Sequence, residues 1–106
     1  MSTQVTGLTV EVVDIQGNCP VYKVGDRFHI QDGYKLITDQ PLCMHALQSI
    51  SPYYIPLSRD ISPADLSLAG PDGAAYVQCL DPRCYTGGGT VIFRFAKTDE
   101  FSTPSA

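Results

Sequence analysis

LTVEVVDI, residues 8–15, sets the class of this fold: Leu8, Val10 and Val12 alternate with Thr9, Glu11 and Val13, the period of a strand with one buried face. The turn-forming run QGNCP, residues 16–20, closes that strand. A second turn at Val24-Gly25-Asp26 precedes Arg27-Phe28-His29-Ile30, in which Phe28 and Ile30 share one face of a short second strand. Gln31-Asp32-Gly33 then breaks the chain, and residues 34–37 give a further short extended piece. Near the other end, AYVQCL (residues 75–80) and VIFRFA (residues 91–96) read as two more strands. They flank DPRCYTGGGT, residues 81–90, as an antiparallel pair with a long, glycine-rich tip would.

One segment abandons the period of two. Across residues 41–54, Cys43, Leu47, Ile50 and Tyr54 recur at three and four positions, which places them on one side of an amphipathic helix. Thr38 or Asp39 is the expected N-cap, Pro41 fits a first turn, and Pro52 and Pro56 are expected to end or kink the helix near Ser51. Residues 59–73, with Pro63, Gly70, Pro71 and Gly73 among scattered leucines, read as a long surface connection containing one turn of helix. Residues 98–106 read as a frayed tail. The order β-β-α-β-β predicts an α+β fold: a small, mainly antiparallel sheet with one principal helix packed on it, one domain with its core at residues 7–97.

With 106 residues the chain has material for one core and not for two. Hydrophobic residues at 43% and charged residues at 17% lie far from the composition of a disordered chain. Seven Lys+Arg against eleven Asp+Glu leave a net charge of −4, without the basic footprint that neutralising phosphates requires, so nucleic acid is not an expected partner. Met1-Ser2-Thr3-Gln4 offers neither a basic cluster nor an apolar run of signal length, and no run approaches the ~20 apolar residues of a membrane span. The expected location is therefore cytoplasmic, with no membrane partner. In a reducing compartment, four cysteines in a short chain point to metal ligation or catalysis before disulfides.

Those cysteines, Cys19, Cys43, Cys79 and Cys84, all fall at the edges of expected elements: a turn, a helix's first turn, a strand's end and a loop. Ligands need backbone that can bend toward a shared centre, whereas a space-filling cysteine sits on a buried face in mid-element. The four are accordingly the candidate metal ligands, for zinc or an iron–sulfur cluster. Cys43, opening the helix, is the most reactive candidate. Their intervals of 24, 36 and 5 positions match neither the paired Cys-x2-Cys of common zinc sites nor the short spacings of ferredoxins, so the residues leave the centre's identity open. Inert buried cysteines and redox or nucleophilic thiols are the competing readings.

Cys19-Pro20, Gly25-Asp26 with Phe28, Cys43 opening an apolar helix, Cys79-Leu80-Asp81-Pro82 and Val91-Ile92-Phe93 together resemble a family of small uncharacterised prokaryotic proteins. The family pattern is Cys-Pro…Gly-Asp…Cys…Cys-x-Asp…Val-Ile-Phe, and the likeness spans residues 8–95. It matches Cys19, Cys43 and Cys79, and leaves Cys84 and Gly87-Gly88-Gly89 in what looks like an insertion. Three matching cysteines imply a cluster with one open iron, or zinc with a non-cysteine fourth ligand; Cys84 would close the set.

Other residues carry weaker signals. His45 lies two positions after Cys43, about 200° around a helix, and is expected to face solvent. His29 is expected on the strand face opposite Phe28 and Ile30, and neither histidine belongs to a nucleophile motif. Asp81 and Arg83 would make a turn, or orient a thiolate from outside the ligand set. Gly87-Gly88-Gly89 lacks the Lys-Ser/Thr of a phosphate loop and reads as a flexible tip. Pro52-Tyr53-Tyr54-Ile55-Pro56-Leu57 suits a core or an interface. The sum is a metal- or cluster-binding protein, a subunit or accessory of a larger enzyme or a homo-oligomer, more non-catalytic than a stand-alone enzyme. The alternatives are a small cysteine- or metal-dependent enzyme and an interaction domain with inert cysteines.

Overall fold

The alternating strands assemble as one sheet. A computed structural model describes residues 5–98. In it, β1 (Leu8–Gly17), β2 (Arg27–Gln31), β3 (Lys35–Ile37), β4 (Ala75–Gln78) and β5 (Gly89–Lys97) form a five-stranded sheet in the order β3-β2-β1-β5-β4. Every neighbouring pair is antiparallel. The principal helix, α1 (Met44–Ser58), covers one face, and the fold is α+β as the sequence predicts. Val10, Val12, Phe28, Val91 and Phe93 form the centre of the core, all but sealed from solvent.

The register shows why β1 reaches further than its alternation. Val12 pairs with Phe93, but the next partner of Ile92 is Asp14, so Val13 is the extra residue of a β-bulge. The bulge changes the phase of the strand, and Ile15 rejoins Leu8, Val10 and Val12 against the core.

The helix departs from expectation at both ends. Its N-cap is Cys43, not Thr38 or Asp39: Thr38 instead bonds to Gln40, its Oγ1 donating to the Gln40 carbonyl at 2.9 Å and accepting the Gln40 N–H at 3.2 Å. Pro41 therefore precedes the helix. At the other end α1 runs through Pro52 and Pro56 to Ser58. A proline removes an N–H and crowds the carbonyl four residues back, at about 3 kcal/mol in a helix interior. Here Ala46, Ile50 and Leu57 lie buried along one side, with Tyr53 and Tyr54 half-buried beside them. Burial of such side chains stabilises by about 1.5–3 kcal/mol for each large one, enough to hold the helix past its prolines.

Two connections contain short helices. Residues 59–73 include the expected turn, a 3-10 helix at Pro63–Leu66 whose first amides are capped by Ser62 Oγ, which accepts the Ala64 N–H at 3.2 Å. Residues 81–90 are not all loop: α2 (Arg83–Thr86) makes one turn there and ends on Gly87, whose φ of 72° is the left-handed cap that glycine adopts without strain. Of the expected tail, Thr98 is tied down, its N–H donating to the Gly7 carbonyl at 2.8 Å, and residues 99–106 lie outside the described residues.

Candidate functional site

Three breaks in regular structure meet at one end of the core. Cys19 sits in the turn that leaves β1, Cys43 is the N-cap of α1, and Cys79 follows directly on β4. All three line a single, mostly apolar cavity of about 280 Å3, together with Tyr22, Ala46 and Val91. No two of these cysteines are adjacent in sequence, so only the folded chain gathers them.

Each thiol is held differently. Cys79 is buried, and its N–H donates to the Val91 carbonyl at 2.9 Å, which continues the β4–β5 ladder by one residue. Its sulfur accepts the Val91 N–H at 3.4 Å and donates to the Gly89 carbonyl at 3.6 Å. Cys43 and Cys19 are half-buried, and none of the four cysteines is in a disulfide. The Cys43 N–H donates to the Tyr22 hydroxyl at 3.0 Å, while its carbonyl accepts the first helical bond, from Leu47, at 3.1 Å.

Tyr22 is the site residue that the spacing analysis overlooks. It is 3% exposed, and its ring stands edge-on to Phe93, with centroids 5.4 Å apart and planes at 85°. Burial pushes its phenol pKa up; the Cys43 N–H opposes that rise, and the thiols of Cys43, Cys19 and Cys79 add to it. One phenol thus lies within electrostatic reach of all three sulfurs. The only trace of it in the sequence is an aromatic residue three positions after Cys19, between two turn clusters.

Gly88 and Gly89 close the wall between Cys19 and Cys79, while Gly87 stays exposed at the end of α2. The Gly88 carbonyl accepts the Asn18 N–H at 3.4 Å. Gly89 is buried, and a Cβ there would stand 2.6 Å from the Asn18 carbonyl group and 2.8 Å from the Cys19 nitrogen. Only glycine lets β5 begin so close to the cysteine turn. Asp81, also on the cavity wall, accepts a hydrogen bond from Thr86 Oγ1, and its own carbonyl accepts from Thr90 Oγ1 at 2.7 Å. It braces the 81–90 connection, as a turn residue would.

The remaining candidates stand elsewhere. Cys84, on α2, is exposed and is not among the residues lining the cavity. His45 is exposed and touches the cavity rim; because Cys43 caps the helix from outside, the 200° helical offset does not separate the two. His29 faces away from the core with Thr9, its Nδ1 3.0 Å from Thr9 Oγ1. The Tyr53-Tyr54 stretch divides by helical phase, with Leu57 buried, the tyrosines half-buried and Ile55 exposed. Among the described residues, no group of three His, Cys, Asp or Glu side chains is placed to hold a metal ion. The three thiols line the walls of the cavity without forming such a group. Among the described residues no helix is long and apolar enough to cross a membrane. Compared with known proteins, the chain matches no family model, no curated protein and no solved structure.

Proposed function

We propose that the cavity shared by Cys19, Cys43 and Cys79 receives a thiophilic centre, zinc or an iron–sulfur cluster, and that the protein is a small metal-binding accessory of a larger enzyme in the cytoplasm. The observation that carries this reading is the meeting of three unlinked thiols, from three separate segments, in one mostly apolar cavity. Thiolates held together in apolar surroundings would repel one another, and a cation among them would remove that penalty. With three protein ligands, the fourth position is left to an outside ligand or to a partner protein. The Val91 N–H to Cys79 sulfur bond is the kind of outer contact that tunes a ligating thiolate.

Purification without oxygen, followed by metal analysis and a visible spectrum, tests the proposal. Zinc in about one equivalent, or a sulfur-to-iron charge-transfer band, is expected, with loss of the centre in Cys19→Ser, Cys43→Ser and Cys79→Ser. Cys84→Ser is expected to retain it and to leave stability within about 0.5 kcal/mol of the wild type, because an exposed side chain away from the cavity carries little folding energy. A folded, metal-free protein that takes up neither zinc nor iron refutes the reading.

One observation favours a second reading, a small cysteine-dependent enzyme. Among the described residues no metal-holding group is formed, and about 280 Å3 is close to the lower bound of a small-molecule site. Selective alkylation of one cavity thiol in metal-free protein, blocked by a small electrophilic substrate, would support that reading over the first.

A further inference from the structure

The two edges of the sheet are finished differently. The outer side of β4 is covered by residues 68–70: the Tyr76 N–H donates to the Leu68 carbonyl and the Gly70 N–H to the Ala74 carbonyl, both at 2.9 Å, and Ala69 bridges Ala75. At the other end of the strand order stands β3, and among the described residues no segment pairs with its outer side. Its three residues, Lys35, Leu36 and Ile37, are all exposed, and two of them are aliphatic. Charge is a common protection of a bare edge, but the one charge on β3 is taken up inside its own turn, where Lys35 Nζ lies 2.9 Å from Asp32 Oδ2. Beside this edge, on the helix side, Tyr34, Leu36, Leu47, Ile50 and Tyr54 line a groove of about 210 Å3, with Tyr34 72% exposed.

We propose that β3 is a self-pairing edge: a second copy of this chain adds its own β3 antiparallel to the first, and one sheet runs through both copies across a two-fold axis at Leu36. An unpaired edge presents N–H and C=O groups that another strand satisfies, so the edge itself specifies an extended partner. Self-complementarity makes that partner a second copy. Pairing centred on Leu36 uses all three residues of β3 and keeps α1 of both copies on the same side of the sheet. It sets Leu36 against Leu36 of the second copy, with each Tyr34 diagonal to the other copy's Leu36, so the two grooves close over one apolar cluster. On the other face Lys35 stands across from Ile37 of the second copy, beside that copy's exposed Asp39, and the two-fold axis makes this contact between opposite charges twice. None of these residues lines the thiol cavity, so the pairing stands apart from the metal reading. A strand of three residues beside a small groove lies at the low end of interface sizes, and the dimer is therefore weak and concentration-dependent.

Sedimentation equilibrium from about 10 μM to about 1 mM tests the pairing, with reductant present so that the exposed Cys84 cannot link two copies. The wild type is expected to pass from monomer to dimer across this range. Leu36→Lys puts like charges opposite each other at the axis and is expected to leave only monomer, while Asp39→Lys is expected to weaken the dimer about 3–10-fold. Both positions are exposed, so both variants should keep the fold, which amide NMR spectra check. Should Leu36→Lys not fold, dilution of the labelled wild type decides instead: amide shifts confined to residues 34–39 and the groove beside them are expected. A wild type that stays monomeric at about 1 mM overturns the proposal and leaves the edge to a strand of another protein. A dimer as strong in Leu36→Lys as in the wild type, or dilution shifts elsewhere on the chain, puts the interface away from β3 and overturns it as well. An Asp39→Lys dimer of undiminished strength overturns the register centred on Leu36.

Discussion

At the scale of single residues, the positions that shape the cavity are those with no side chain to spare. Gly89→Ala would place a methyl 2.6 Å from the Asn18 carbonyl group, a backbone contact that cannot rotate away. Forcing extra volume into a packed site costs about 1–3 kcal/mol, and here the displaced atoms belong to the turn carrying Cys19. Urea unfolding should show a loss of that size with an unchanged slope, accompanied by weaker metal uptake. The edges where Cys19 and Cys79 sit were legible in the sequence because turns are local, marked by Asn18, Pro20 and the end of an alternating run, whereas the start of the helix, expected at Thr38 or Asp39, falls at Cys43. Tyr22 was not legible, since its role comes from a contact with Cys43, 21 positions away. Nor was the glycine run: flexibility and close approach give glycine the same signature, and only the neighbouring turn tells them apart.

Elements show the same division between local and tertiary signals. The alternation of Leu8, Val10 and Val12 gave β1 its buried face, and the three- and four-residue spacing after Cys43 gave α1 its face. The helix's length was hidden, because proline's local cost is visible in sequence while the burial that offsets it is not. Pro52 is exposed and interior, so Pro52→Ala restores an N–H for the Gln48 carbonyl without disturbing the core. It should stabilise the protein by about 1–3 kcal/mol, the helix penalty less the entropy that proline removes from the unfolded chain; the urea midpoint should rise accordingly. The β4 edge carries a pH signature. The Arg94 guanidinium, first, with the Ala74 N–H and the Tyr76 hydroxyl, holds the Asp72 carboxyl below its ordinary pKa. A carboxyl depressed in the folded state contributes stability above its unfolded value of about 3.9, and that contribution is lost as pH falls through the lower, folded value. Asp72→Asn should therefore be less stable than wild type at neutral pH, and the two should converge in acid. Equal stabilities at both pH values would show that solvent screens the interaction entirely.

For the molecule as a whole, the decisive fact is that the three cavity cysteines belong to different parts of the sheet–helix unit. Cys19 leaves the central strand β1, Cys79 leaves the edge strand β4, and Cys43 caps the helix laid across them. Phe93, on the strand between β1 and β4, packs edge-on against both Tyr22 and Phe28, so the aromatic centre of the core and the wall of the cavity are one structure. An unfolded chain with cysteines 24 and 36 positions apart offers a metal no assembled set of ligands. Metal bound as proposed would favour the folded state, by RT ln(1 + [L]/Kd), which is about 2.7 kcal/mol at one hundred times Kd. A stabilisation of 1 kcal/mol raises the midpoint of a domain near this size by about 4–8 °C, so saturating zinc should raise it by about 10–20 °C. Differential scanning calorimetry of metal-free protein, with and without zinc, measures this directly. The rise should vanish in Cys43→Ser and persist in Cys84→Ser, whose thiol lies outside the cavity. An equal rise in both variants would mean that zinc acts elsewhere on the chain, and the coupling between core and cavity would then have no energetic content.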